Sequence, residues 1–172
     1  GVSSPLGASV VGEGVNFAVY APQAQHMSLC IFDSSGHSEI LTLAMHMNEG
    51  GIWTLKVSPL KSGALYGFRA DGEYAPEKGL FFNNHKLLLD PYARDLYGEF
   101  TWSERHYGQM PVGKLSQVNN AIDMTTSRVR ELATYTGQKP NHSLGTTVLY
   151  EWPFIGATFH HPVNPKQLQG QD

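Results

Sequence analysis

The sequence is poor in cysteine: Cys30 is the only one among 172 residues, which excludes an intrachain disulfide. Because disulfides persist mainly in oxidising compartments, this favours a reducing one, and we predict a cytoplasmic protein. No apolar run approaches the ~18 residues of a membrane span. The first residues also lack the charged and apolar parts of a signal peptide. We therefore expect no membrane partner.

Positive charge is scarce as well. The net charge is -3 at pH 7, and the absence of any Lys/Arg block excludes the basic surface that nucleic acid requires. The sequence contains no P-loop, no Gly-x-Ser-x-Gly and no His-Glu-x-x-His motif. Its eight histidines are scattered, and the adjacent His160 and His161 would point to opposite faces of a strand. We predict no catalytic residue, no metal and no cofactor.

Apolar residues at every second position predict short β-strands between residues 14 and 90. Val15, Phe17 and Val19 alternate with other residues, and the same period recurs around Leu29 and Trp53. Sequences rich in Gly, Asp, Asn and Pro separate these segments and are typical of turns. About six or seven strands at such spacing predict an immunoglobulin-like β-sandwich, which we assign to residues 1–95.

The rest of the chain has a different character. Residues 96–146 are polar and weakly periodic, and a loop of this length is uncommon inside a compact domain. We interpret them as a linker or wrapping segment. Residues 147–172 begin with the strand-like sequence TVLYE and become polar towards the end. The predicted fold class is thus all-β: a sandwich, an irregular linker and one strand-like segment.

Aromatic residues offer the best candidate for binding chemistry. Flat rings can stack against the C–H faces of sugars, while Lys, Asn or Arg bind the hydroxyl groups. Trp53, Tyr74 and Lys86 are the candidate carbohydrate-binding residues. For Trp53 the alternative is simple core packing, whereas Tyr74 follows the turn residues Asp71 and Gly72 and is expected to be more exposed. Asp71 and Glu73 are interpreted as turn acids and not as a catalytic pair.

Several motifs resemble the N-terminal part of bacterial glycogen debranching enzymes, the isoamylase-like branch of the α-amylase superfamily. The most specific is FNNHKLLLDPYA at residues 82–93, which is similar to the family's FNPxKLLLDPYA. Four further matches are PLGA at residues 5–8, GVNFAV at 14–19, LYGFR with GEYAP at 65–76, and TVLYE at 147–151. One departure is Pro153, which stands where the family has a histidine. The resemblance covers nearly the whole chain and is weakest over residues 99–145.

The resemblance implies a family-48 carbohydrate-binding module, a connecting stretch and then a (β/α)8 barrel that begins with residues 147–151. In that family the barrel hydrolyses α-1,6 branch linkages, with an Asp nucleophile and a Glu acid/base after its fourth and fifth strands. A barrel takes about 250 residues, far more than follow Thr147 here. We therefore expect this chain alone to be non-catalytic.

Two other hypotheses stay open beside that of an accessory module that supports the catalytic barrel and binds a glycogen-type α-glucan. The chain could be a stand-alone protein-interaction or self-associating domain descended from such an enzyme, because residues 148–155 would form an apolar strand edge. Alternatively, it is the beginning of an active hydrolase whose catalytic residues lie further along a longer chain.

Overall fold

Antiparallel strands form the first of two compact units, Gly1–Ala133; the second is Thr134–Asp172. The computed structural model describes residues 1–48, 50–110, 113–131, 136–138 and 141–151. One sheet has the order β1-β2-β6-β5, with the bounds β1 Gly7–Val11, β2 Gly14–Tyr20, β5 His46–Met47 and β6 Ile52–Val57.

The second sheet has the order β10-β11-β7-β3-β4. Its bounds are β3 His26–Phe32, β4 Glu39–Ala44, β7 Leu65–Asp71, β10 Leu96–Tyr97 and β11 Thr126–Arg128. A small hairpin, β8 (Tyr74–Ala75) and β9 (Leu80–Phe81), follows β7. The described residues contain no α-helix and hence no helix long and apolar enough to cross a membrane. The predicted all-β sandwich is confirmed.

Aromatic side chains from both sheets meet in the core between them. Phe17 on β2 contacts Tyr66 on β7 edge to face, with ring centroids 4.9 Å apart, and Tyr66 contacts Phe68 in the same way at 5.8 Å. Leu29 on β3 and Val15 on β2 are also fully buried. Such contacts add to the stabilisation that burial of apolar area provides.

The outer faces of both sheets are covered too, which strict alternation did not predict. On β2, Asn16 is buried and binds the main chain of Val2 with both its amide oxygen and its amide nitrogen, at 2.8 and 2.9 Å. On β7, Leu87 packs directly against Gly67. Any larger residue at position 67 would place its Cβ only 2.7 Å from Leu87 Cδ1, which is too close, so glycine is what allows this packing. Leu87 joins Cys30 in a second small core.

Part of residues 96–146, interpreted from sequence as a linker or wrapping segment, supplies β10 and β11 to the second sheet. These strands have only two and three residues, too few to show a period of two. The predicted boundary between residues 95 and 96 remains a prediction, although the first compact unit continues to Ala133.

In the second unit the structure describes residues 136–138 and 141–151. A 3-10 turn spans Leu144–Thr146, and the Ser143 carbonyl accepts the hydroxyls of Thr146 and Thr147 at 3.0 and 2.9 Å. Residues 147–151 carry no strand assignment among the described residues, and the strand predicted there remains a prediction. Thr147 is extended, but a strand needs a hydrogen-bonded neighbour and none is present among the described residues. Pro153 and the remainder of residues 152–172 lie outside them.

A buried hydrogen bond joins the sandwich to the loop at residues 90–93. Tyr66 donates its hydroxyl to Asp90 Oδ2 at 2.6 Å, the Tyr92 amide donates to Asp90 Oδ1 at 2.8 Å, and the Asp90 amide donates to Ser127 Oγ at 3.1 Å. Burial raises the pKa of the Asp90 carboxyl, whereas the hydrogen bonds from the Tyr66 hydroxyl and the Tyr92 amide act to lower it. Burial, and then the nearby Asp90 carboxylate, raise the pKa of the Tyr66 hydroxyl.

Replacement of Tyr66 by phenylalanine leaves the Asp90 carboxylate buried with one donor fewer. We expect Tyr66→Phe to lower the free energy of unfolding by about 1–3 kcal/mol, the cost of an unsatisfied buried acceptor. Urea unfolding followed by fluorescence measures this. The control is Tyr20→Phe, whose ring is 57% exposed; equal stability of the two variants would show that the bond contributes nothing.

Acidification tests Asp90 separately. Because its folded-state pKa is raised, protonation favours the folded state. That contribution is complete below the unfolded pKa of about 3.9 and is lost as pH rises through the folded pKa. We expect the free energy of unfolding of the wild type, minus that of Asp90→Asn, to grow as pH falls from about 7 to about 4. A difference that shrinks on acidification in urea titrations would contradict this.

Candidate functional site

The β8–β9 hairpin, which follows β7, carries two aromatic rings. Its turn, Pro76–Lys78, begins with a proline that suits the first helical position, and Gly79 closes it with φ 74°, in the left-handed region. The Tyr74 and Phe81 rings, on paired strands, meet edge to face with centroids 6.2 Å apart. Tyr74 is half-buried, whereas Phe81 is 64% exposed. Phe81 therefore presents most of the accessible aromatic surface.

A cleft of about 280 Å³ adjoins this hairpin. Apolar groups line part of it and polar groups the rest, among them Gln23, Gly79, Phe81, Phe82, Asn83 and Lys86. Aromatic surface with a few polar groups is the usual composition of a small-molecule site. The structure thus brings Lys86 and Tyr74 to the same region, since Phe81 lines the cleft with Lys86 and contacts Tyr74.

Lys86 is buried and serves the fold. The residue is only 7% exposed. Its Nζ donates to Arg105 O and Val118 O, each at 2.7 Å, and to Ser116 Oγ at 3.1 Å. An ammonium group has three donors, and all three have protein acceptors. Burial, and then repulsion from Arg69, lower the pKa of Lys86. Its charge therefore ties residues 105–118 to the sandwich instead of facing a ligand.

Asn83 acts beside Lys86 in the same way. Its amide nitrogen donates to Gly108 O at 3.0 Å and to Ser116 O at 2.9 Å, while its amide oxygen accepts the His85 N–H at 2.9 Å. The segment that passes here also touches the hairpin, because a Cβ at Gly108 would lie 3.5 Å from Tyr74 Cε2. The buried polar groups thus position the wall against which Tyr74 rests.

Trp53 lies elsewhere, on β6 in the other sheet. It is 6% exposed, and its indole nitrogen donates to Ala21 O at 2.9 Å. Its ring belongs to the main core, as the packing alternative predicted, and leaves no free face for a sugar. Phe81, which sequence reasoning did not select, is the more accessible ring; β9 has only two residues, so no alternation in the sequence marks it as exposed.

Metal chemistry has no structural support in the described part of the chain, which contains no group of three or more His, Cys, Asp or Glu side chains able to hold an ion. The features that remain are a β-sandwich, exposed aromatic surface and a small mixed cleft. Aromatic surface beside a cleft with a few polar groups is the usual composition of a ligand-binding site.

The family description "Carbohydrate-binding module 48 (Isoamylase N-terminal domain)" matches residues 5–93. The chain belongs to this family of β-sandwich modules. Two similar curated proteins are glycogen debranching enzymes: that of Pectobacterium carotovorum subsp. carotovorum (strain PC1) is 35% identical over 99% of this chain, and that of Klebsiella pneumoniae (strain 342) is 36% identical over 99%. In each case the chain spans 26% of the relative's length.

A solved structure with the same fold is the catalytic module of the multi-modular glycogen-degrading pneumococcal virulence factor SpuA. The likeness has a TM-score of 0.54 and covers 76% of this chain and 17% of that one. At 18% identity it supports the fold alone.

Removal of the Lys86 ammonium takes a donor from three acceptors, one of them in a buried bond with Ser116 Oγ and two in part-buried bonds with main-chain carbonyls. We expect Lys86→Met, which keeps most of the side-chain volume, to lower the free energy of unfolding by about 2–4 kcal/mol. Urea unfolding measures the loss. The matched control is Lys78→Met: Lys78 is exposed and pairs with Glu73 at 2.6 Å, a surface contact worth less than about 1 kcal/mol. Equal losses in the two variants would refute the assigned role.

Proposed function

We propose that this chain is the N-terminal carbohydrate-binding module of a glycogen debranching enzyme, in which it supports or orients a catalytic barrel and binds a glycogen-type α-glucan. The observation that carries the proposal is the similarity to glycogen debranching enzymes, which extends over 99% of the chain and thus beyond the module itself. In this proposal the chain contributes no catalytic residue. Its cytoplasmic location is supported by the single cysteine.

The β8–β9 hairpin is the proposed contact with the glucan. An α-glucan is neutral and carries apolar C–H faces, so exposed aromatic rings suit it better than charged groups do. Phe81 supplies the accessible ring, and Tyr74 fixes its orientation by an edge-to-face contact. Lys86 and Trp53, the other candidates from sequence, act in this proposal from inside the fold, by holding the cleft wall and the core.

Affinity electrophoresis through gels with and without glycogen tests the proposal. We expect the chain to be retarded by glycogen, and Phe81→Ala to reduce that retardation. If the lost ring–sugar contact is worth as much as an aromatic pair, about 0.5–1.5 kcal/mol, the dissociation constant for glycogen should rise roughly two- to tenfold. Tyr20→Ala, which removes an equally exposed ring from β2, is the control.

Unchanged mobility in glycogen would contradict glucan binding. Light scattering on the same sample then distinguishes the alternatives: a dimer mass would favour the self-associating domain, and a monomer mass would favour a module that only supports the barrel. Fold integrity of Phe81→Ala is checked by its urea unfolding curve, so that lost retardation is not confused with lost structure.

A further inference from the structure

Three rings form an exposed cluster outside the region that the family description covers. Phe100, Trp102 and His106 follow residue 93, the last residue matched. The Phe100 and His106 rings stack with centroids 4.6 Å apart and an interplanar angle of 24°. The Trp102 ring is tilted against both, with centroids 5.8 Å from Phe100 and 6.0 Å from His106. Trp102 is 74% exposed. The exposed indole and the two adjoining rings form a contiguous aromatic patch, and contiguous exposed apolar patches mark interaction sites.

Hydrogen bonds hold the backbone around these rings in place. His106 Nε2 lies 2.8 Å from Thr101 O, and the Thr101 amide donates to Asp123 O at 2.9 Å. Ser103 begins the 3-10 turn Glu104–His106 and donates its hydroxyl to Asp123 Oδ2 at 2.6 Å. These bonds hold the main chain that carries the rings, and a backbone already in place lowers the entropic cost of binding.

The surroundings of the cluster suit a sugar. Arg105, within the turn, has its Nε 3.5 Å from Asp123 Oδ2 and is half-exposed, so it can also donate to hydroxyl groups. In the sequence, the polar residues Thr101 and Ser103 lie next to Trp102 on either side. A platform of flat rings interleaved with hydrogen-bonding groups complements a neutral sugar, whose faces are apolar and whose rim is polar.

A groove of about 610 Å³ begins at the same turn. Both charged residues of the turn line it, together with aromatic, amide and apolar groups: Glu104, Arg105, Tyr107, Gln109, Met110 and Val118. The turn thus connects the ring cluster with a channel that has room and polar partners for neighbouring units of a polymer.

We propose that Phe100, Trp102 and His106 form an additional α-glucan subsite, with Trp102 as the stacking platform and the adjacent groove receiving the next sugars of the chain. This rests on the proposed function for the nature of the ligand. It assigns binding to residues 100–118, beyond the family match. It also gives a functional reason for the three hydrogen bonds by which Lys86 holds this segment.

Isothermal titration calorimetry with maltoheptaose tests the subsite. Trp102→Leu keeps an apolar side chain but removes the flat ring, and we expect it to weaken binding roughly two- to tenfold. Trp102→Phe keeps a ring and should retain most of the affinity. Tyr20→Leu removes a ring of comparable exposure from β2 and should change nothing. Urea unfolding of each variant confirms that it folds.

The outcomes separate this proposal from the one on which it rests. Wild-type binding that Trp102→Leu weakens and Trp102→Phe preserves supports the subsite. Wild-type binding that Trp102→Leu leaves intact, while Phe81→Ala reduces it, overturns the subsite and leaves the glucan-binding module. No wild-type binding overturns both. A concentration-dependent rise in mass that Trp102→Leu abolishes would assign the rings to protein contact and also overturn the subsite.

Discussion

The buried carboxylate of Asp90 couples the sandwich to the chain that follows it. Its two oxygens accept from Tyr66 near the start of β7 and from the Tyr92 amide in the loop, while its own amide donates to Ser127 on β11. A carboxylate removed from water is tolerated only when its hydrogen bonds are made. The core strand, the loop and a strand nearly forty residues further on must therefore be in place together.

Polar ties of this kind matter because the segment after residue 96 has little apolar core of its own. Ala121 is one of its few buried apolar side chains, joining Leu87 in the smaller cluster. The ammonium of Lys86 and the amide of Asn83 bind carbonyl groups along the segment instead. Aromatic side chains can remain exposed on this segment because hydrogen bonds, and not burial of apolar side chains, hold its main chain in place.

Sequence patterns predicted what is long and regular. Strands β2, β3, β6 and β7 have six or seven residues, enough for alternation to be visible. The strands β10 and β11 are too short for that: β11 forms because Tyr66 and Leu65 on β7 offer pairing partners, and β10 pairs with β11 in turn. The burial of Lys86 is not visible in the sequence, because lysine is normally exposed. Its burial follows from three carbonyl and hydroxyl acceptors contributed by distant residues, which no local pattern reveals.

The thiol of Cys30 has a practical consequence. It is fully buried in the smaller core, and burial, followed by the nearby Glu39 carboxylate, raises its pKa to about 12. Alkylating reagents attack the thiolate of an accessible sulfur. The rate of covalent labelling of this single site under native conditions therefore measures how often the smaller core opens and exposes Cys30. Because Leu87 packs in that core, the rate also reports how stably the chain after β7 is packed on the sandwich.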